Sequence, residues 1–207
     1  MIKPQQLTTN YWNYFLALEE DLEQLSRFVE FNPDNFGAYS IELAHLLLTS
    51  SSEIDVLIKQ ICSLIAPQTK VSNINNYRKV LKNNLQSYIF DGFIQEKFFI
   101  PRYHLEFTPW ASWKNDENPE WWRSYNNVKH KRDSSFKEAN LENVINVVGA
   151  LLIVEIYYYW ISTHIGDIEV IKTIDADNTR RETIWKLEPN SEFVKLESSY
   201  YPRHLAV

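Results

Sequence analysis

Apolar residues recur along the first part of the chain at alternating spacings of four and three: Tyr11, Phe15, Leu18, Leu22, Leu25 and Val29. That period is one stripe on an α-helix. It predicts a helix from Asn10 to about Phe31, capped by Asn10 and stopped by Asn32-Pro33. A second helix, over about 36–65, is marked by Leu43, Leu46, Leu47, Ile54, Leu57, Ile58, Ile61 and Ile65, and ends before Pro67. Ile74, Tyr77, Leu81, Leu85 and Tyr88 carry a third, over about 74–90. From about 91 to 118 the helical period breaks, and "KFFIPRYHLEFTPWASW" reads as an extended or irregular insertion. Asn118-Pro119-Glu120 then combines a cap, a proline at the first helical position and an early acid, a start signal for a short helix through about Lys131. After "RDSS", a fifth helix over about 139–163 is apolar on nearly every side and belongs at the centre. In the tail, "DIEVIKTI" and "RETIWKL" flank the turn-like "DADNTR" and suggest a small β-hairpin.

The pattern predicts a mainly α fold, an antiparallel bundle of about five helices over residues 1–164, followed by an extension over 165–207. Composition agrees with one folded domain: of 207 residues, 44% are hydrophobic and 23% charged. Only 4 glycines leave little material for long loops. The 7 tryptophans, 12 tyrosines and 11 phenylalanines need burial or a partner. A single cysteine, Cys62, excludes an internal disulfide and a multi-cysteine zinc site. The opening "MIKPQQLTTN" has no apolar run of the kind a signal peptide needs, so the cytoplasm is the expected location. The long apolar run at 144–162 is interrupted by Asn146 and Glu155, which are costly in lipid; it reads as a buried helix and not a membrane span.

A net charge of −6 gives no global attraction to nucleic acid, so any such binding must be local. The densest basic cluster is Lys129, His130, Lys131 and Arg132, with Lys137 just beyond. It closes the stretch "WWRSYNNVKHKR". Positions seven apart on a helix lie nearly above one another, which aligns Arg123 with His130. Asn126 and Asn127 flank the same line, and Trp121, Trp122, Tyr125 and Val128 gather opposite. An amphipathic helix with a solvated polar face would look much the same, so the pattern acquires meaning from its chemistry. Metal-free RNA cleavage requires removal of the 2′-OH proton, neutralisation of charge on the phosphorane and protonation of the leaving 5′ oxygen. Imidazole carries protons near neutral pH, and a guanidinium holds phosphate through paired hydrogen bonds. Asn126 or Asn127 can orient the phosphate or the histidine.

This Arg-x6-His motif on a late helix resembles that of the HEPN superfamily, in which an arginine and a histidine are separated by four to six residues. The surrounding "YWNYFLALEEDLEQLSRFVEF", "SSEIDVLIKQIC", "PWASW" and "ANLENVINVVGALLIVEIYYY" resemble a group of bacterial HEPN proteins, over about residues 10–163. The resemblance implies a helical bundle that dimerises and joins two motifs in one cleft. It often implies a metal-independent endoribonuclease of toxin–antitoxin or anti-phage defence, with an antitoxin or regulatory protein as a further partner. Transferred by position, Arg123 binds phosphate, His130 is the essential histidine, and Asn126 and Asn127 are the polar residues between them. Lys129, Lys131 and Arg132 would hold the RNA backbone. Some members carry a modifiable tyrosine two residues after the histidine; this chain has Arg132 there, which puts control by that route in doubt.

Glu53 and Asp55 either position the motif or bond to nearby serines and lysines. Trp110, Trp113, Trp121 and Trp122 either stack on unpaired bases or fill a core or dimer interface. His45, His104 and His164 have no partners at metal-ligand spacing and read as structural; no metal or other cofactor is expected. Cys62 reads as a buried thiol, and the glycine of "VVGALL" as a site of close helix packing. Two rivals to an RNA-cleaving homodimer are a non-catalytic interaction module, with Arg123 tied to Glu53 or Asp55 and His130 inaccessible, and a nucleotide-binding protein without cleavage.

Overall fold

The computed structural model describes residues 9–164 and 191–196. Helix α1 spans Asn10–Leu25, α2 Ile41–Ile65, α3 Ile74–Asn84, α4 Ser87–Gln95, α5 Glu120–His130, α6 Arg132–Ser135 and α7 Leu141–His164. The mainly helical expectation holds, with a small antiparallel sheet added.

The boundaries differ from the sequence pattern for local reasons. Thr9, not Asn10, precedes the first turn of α1, and no side chain caps it. The helix ends at Leu25, before the expected Phe31, where the Ser26 hydroxyl donates to the Glu23 carbonyl at 2.6 Å and competes with the helical ladder. Asn32 caps the short 3-10 turn Pro33–Asn35 instead. Residues 36–40, read as the start of the second helix, are not helical in α2. Ser40, extended, accepts from the Leu43 N–H at 3.1 Å and starts the helix there. The chain before it serves α7: the Leu141 N–H donates to the Ala38 carbonyl, and Tyr39 bridges to Asn140.

That bridge starts α2 and α7 at the same end, so the two longest helices run parallel, contrary to the antiparallel expectation. A long crossover through α3, α4 and the sheet separates them in sequence. Helix α1 is antiparallel to both, its Trp12 N–H donating to the Tyr159 hydroxyl at 3.3 Å. The third predicted helix is two. Leu85 and Gln86 are extended, and the break brings Ile89, Phe90, Phe93 and Ile94 inward. On one continuous helix Phe90 would face away from Leu81.

The insertion is not irregular throughout. Strands β1 (Phe98–Ile100) and β2 (Leu105–Phe107) pair antiparallel, with Phe98 opposite Phe107. Their turn ends in His104, at a left-handed φ of 52°. Strand β3 (Lys195–Leu196) pairs with the other edge of β1, giving the order β2-β1-β3. Segment 191–196 is anchored to α1 as well: the Glu19 carboxylate accepts from the N–H groups of Phe193 at 3.0 Å and Val194 at 2.7 Å, and from the Ser191 hydroxyl. Burial pushes the Glu19 carboxyl up, and these donations, with a fourth from the Glu192 N–H, only partly oppose it. The hairpin expected in the tail lies outside the described residues.

Helix α7 is the centre. By length and hydropathy it passes the test for a membrane span, but 89% of the apolar window is buried by the rest of the bundle. Gly149 lies against the sheet, where an added Cβ would be 2.2 Å from the Phe98 ring. The tryptophans fill this same core. Trp110 and Trp113 have no exposed surface, and Trp110 packs edge-on against both Trp113 and Trp121. The Trp110 indole N–H reaches the Ala150 carbonyl, and that of Trp121 the Pro109 carbonyl. With Trp121 and Trp122 buried too, none of the four offers a face to an unpaired base.

Candidate functional site

Pro119 occupies the capping position before α5; Asn118, read as the cap, makes no capping bond through its side-chain oxygen. The N–H groups of Trp122 and Arg123 donate to the Pro119 carbonyl. Trp121, Trp122, Ser124, Tyr125 and Val128 then turn inward and are buried. Asn143 of α7 donates its amide to the Ser124 hydroxyl at 3.0 Å, joining the two helices in the core.

The opposite face carries the expected polar set. Arg123 and His130 are exposed, and Asn126 and Asn127 are half-buried between them. Arg123 forms an ion pair with Glu120, one turn back. Among the described residues His130 has no hydrogen-bond or ion-pair partner. Asn126 donates to the Trp122 carbonyl at 2.8 Å within the helix. Asn127 donates to the Glu138 carboxylate, also at 2.8 Å, across the turn made by α6 and the 3-10 segment Phe136–Glu138. Asn126 and Asn127 therefore hold the local structure, whatever else they touch.

Lys129 leans back over the Tyr125 ring and donates to its hydroxyl at 3.0 Å; this contact holds its ammonium above the usual range. Lys131 and Arg132 are exposed at the helix end, where cations also suit the carbonyl-rich terminus. The result is a solvent-facing strip with a guanidinium at one end and an imidazole two turns on, with Lys129, Lys131 and Arg132 next to the imidazole in sequence.

Glu53 and Asp55 do not bond to Arg123 or His130. Asp55 accepts from the Tyr77 hydroxyl at 2.6 Å and pairs with Lys59, and its charge adds to that of Tyr125 in favouring the Lys129 ammonium. Glu53 is half-buried, and burial pushes its carboxyl up. It faces a more deeply set acid, Glu155 of α7, which is fully buried with both carboxylate oxygens unpaired. Burial first, and the Glu53 charge second, raise the Glu155 carboxyl well above the carboxylate range.

The residues that sequence reasoning missed are Glu120, Tyr125 and Glu138, which hold Arg123, Lys129 and Asn127. Glu120 was legible, since an acid three residues before an arginine on a helix is a natural pair. Glu138 was not, because its contact depends on the path of the α6 turn. Cys62 is fully buried, its thiol pushed up to about 12 by burial, and His104 is exposed on its turn. His45 faces solvent beside Glu42 and not the leucine core. Two surface cavities, one lined by residues of α3 and the segment before it and one between α1 and α2, are not lined by α5. No group of three or more potential metal ligands occurs among the described residues.

Compared with known protein families, curated proteins and solved structures, the chain matches none.

Proposed function

We propose that this protein is a HEPN-type endoribonuclease that cleaves RNA without a metal, at a composite site made by two copies of α5, in toxin–antitoxin or anti-phage defence. The observation that supports it most is His130: exposed, without a side-chain partner among the described residues, on the same face as an exposed arginine and flanked in sequence by Lys129, Lys131 and Arg132. An imidazole placed for structure would be expected to hold a bond, as Asn126 and Asn127 do.

The reaction follows from the groups. His130 takes the 2′-OH proton, or positions that hydroxyl, as its oxygen attacks the adjacent phosphorus. Arg123 neutralises the charge that gathers on the phosphorane oxygens, exchanging its exposed bond to Glu120 for phosphate; such surface pairs are weak, typically about 0.2–1 kcal/mol. The bond to the 5′ oxygen breaks, that oxygen gains a proton, and the upstream fragment ends in a 2′,3′-cyclic phosphate. One α5 lies on an open surface and encloses no substrate, which favours a second copy completing the site. The second copy's His130 would then supply the proton for the leaving oxygen.

Incubation of total RNA with wild type and His130→Ala in EDTA tests this. The expected result is fragments with cyclic phosphate ends from the wild type alone, with unchanged helical circular dichroism in the variant. Equal cleavage by both proteins would remove the assignment. The second reading, a non-catalytic interaction module, draws on the Arg123–Glu120 pair and on the internal use of both asparagines. Under it, substitutions at Arg123 and His130 change the oligomeric state and no nuclease activity appears.

A further inference from the structure

The second half of α1 and the first half of the antiparallel α2 leave between them a surface groove of about 300 Å3. Leu18, Leu25 and Leu46 line it, and Phe28 stands at its mouth with 82% of its surface exposed. A single exposed apolar residue is ordinary on a protein surface. Here, though, Phe28 borders a depression that mixes leucines with Asp21, Gln24, Glu42, His45 and Thr49, and Ile41, one turn before His45, is 64% exposed.

The rim is acidic. Asp21 and Glu42 lie on the two sides, with Glu20 beside them, and no lysine or arginine among the described residues pairs with any of the three. Among the described residues Glu42 has one ion contact, His45 at 3.7 Å. Burial, and then the charges of Glu20 and Glu42, push the Asp21 carboxyl up, as crowding of like charges should. An added cation would relieve that repulsion.

We propose that this groove docks a basic amphipathic helix from a partner protein. Its apolar side chains would lie against the leucines and Phe28, and its lysines or arginines on Asp21 and Glu42. A trough between two helices, with no free strand edge, is the shape that accepts a helix. The volume is at the floor of the roughly 300–1,000 Å3 typical of small-molecule pockets, and an exposed mouth suits anchoring side chains better than an enclosed ligand. The net charge of −6 also draws cationic partners. A second copy of this chain fits less well. Its densest basic stretch, Lys129 to Arg132, lies on a helix whose apolar side is already buried at Trp121, Tyr125 and Val128. The inference is independent of RNA cleavage.

The test uses the full chain and fluorescence anisotropy with three labelled peptides of about 18 residues, long enough for several helical turns. One is an amphipathic leucine–lysine helix, one replaces lysine by glutamate, and one scrambles the leucine–lysine order so that no apolar face forms. Expected is binding of the first alone, weakened about tenfold or more by Phe28→Ser and also weakened by the paired change Asp21→Asn with Glu42→Gln. Phe28 is exposed, so its replacement leaves the core untouched. Absence of binding, equal binding of the scrambled or glutamate peptide, or unchanged binding by the Phe28→Ser variant would overturn the proposal. So would sedimentation showing self-association that Phe28→Ser abolishes, which would make a second copy the occupant.

Discussion

Asn127 donates its amide to the Glu138 carboxylate at 2.8 Å and so ties the end of the candidate motif helix to the turn that leads into α7. The bond is half-buried and charge-assisted; beside it, Asn143 at the start of α7 donates to the Ser124 hydroxyl of α5 and to the Glu138 carbonyl. It therefore sets where His130, three residues on, stands relative to the bundle.

Asn127→Ala should cost about 1.5–3 kcal/mol of stability, the usual range for a hydrogen bond to a charged group, measured by urea unfolding. Asn127→Asp should cost more, since it sets a second carboxylate against Glu138. If Asn127→Ala unfolds at the wild-type urea concentration, the tie carries no weight in the fold.

Glu120→Ala separates the two readings of Arg123. Removing an exposed pair one turn apart should change stability by less than about 0.5 kcal/mol. With Arg123 released, cleavage of RNA should be kept or increased. A loss of cleavage with stability intact would show that Glu120 holds the guanidinium in its working position.

Glu155 makes stability depend on pH with a defined sign. Its folded-state pKa is raised above the ordinary 4.5 by burial and by Glu53, so the folded protein binds more protons than the unfolded chain above that value. Stability is then full below about pH 4.5 for this group and falls as pH rises from there toward the folded pKa, by up to about 1.4 kcal/mol per pH unit. Glu53, raised in the same direction, adds to the slope, and the Tyr158 and Tyr159 hydroxyls, also raised, stay neutral through neutral pH. Glu155→Gln should raise Tm at pH 8 and flatten Tm between pH 5 and 8. A variant with the same slope as wild type would place the effect elsewhere.

Gly149→Ala adds a methyl group 2.2 Å from a Phe98 ring that has no exposed surface. Alanine gains about 1 kcal/mol over glycine in helix propensity, but overpacking a closed core costs typically about 1–3 kcal/mol. The net expectation is a lower Tm, partly restored by pairing the change with Phe98→Leu. A more stable single variant would show that the sheet can move away from α7.

What the sequence determined by itself is the place of most of the longer helices and the polarity of α5. The period of the apolar residues is a local property, and it located α2, α5 and α7 and the burial of Trp121, Tyr125 and Val128. The alignment of Arg123 with His130 follows from the same geometry and needs no tertiary contact. The helix ends were less legible, because Ser26, Ser40 and Leu85 stop or start helices through single hydrogen bonds and backbone angles that the apolar period does not record.

The tertiary structure alone decided the rest. The parallel course of α2 and α7 depends on the bridge from Tyr39 to Asn140, a pairing of residues about a hundred positions apart. Pairing of β1 with β3 and the grip of Glu19 on residues 191–194 are likewise long-range, since strand pairing and buried hydrogen bonds are chosen by what the folded core brings near. The polar partners were settled the same way: Asn127 takes Glu138, Asp55 takes Tyr77, and the exposed His130 side chain takes none among the described residues.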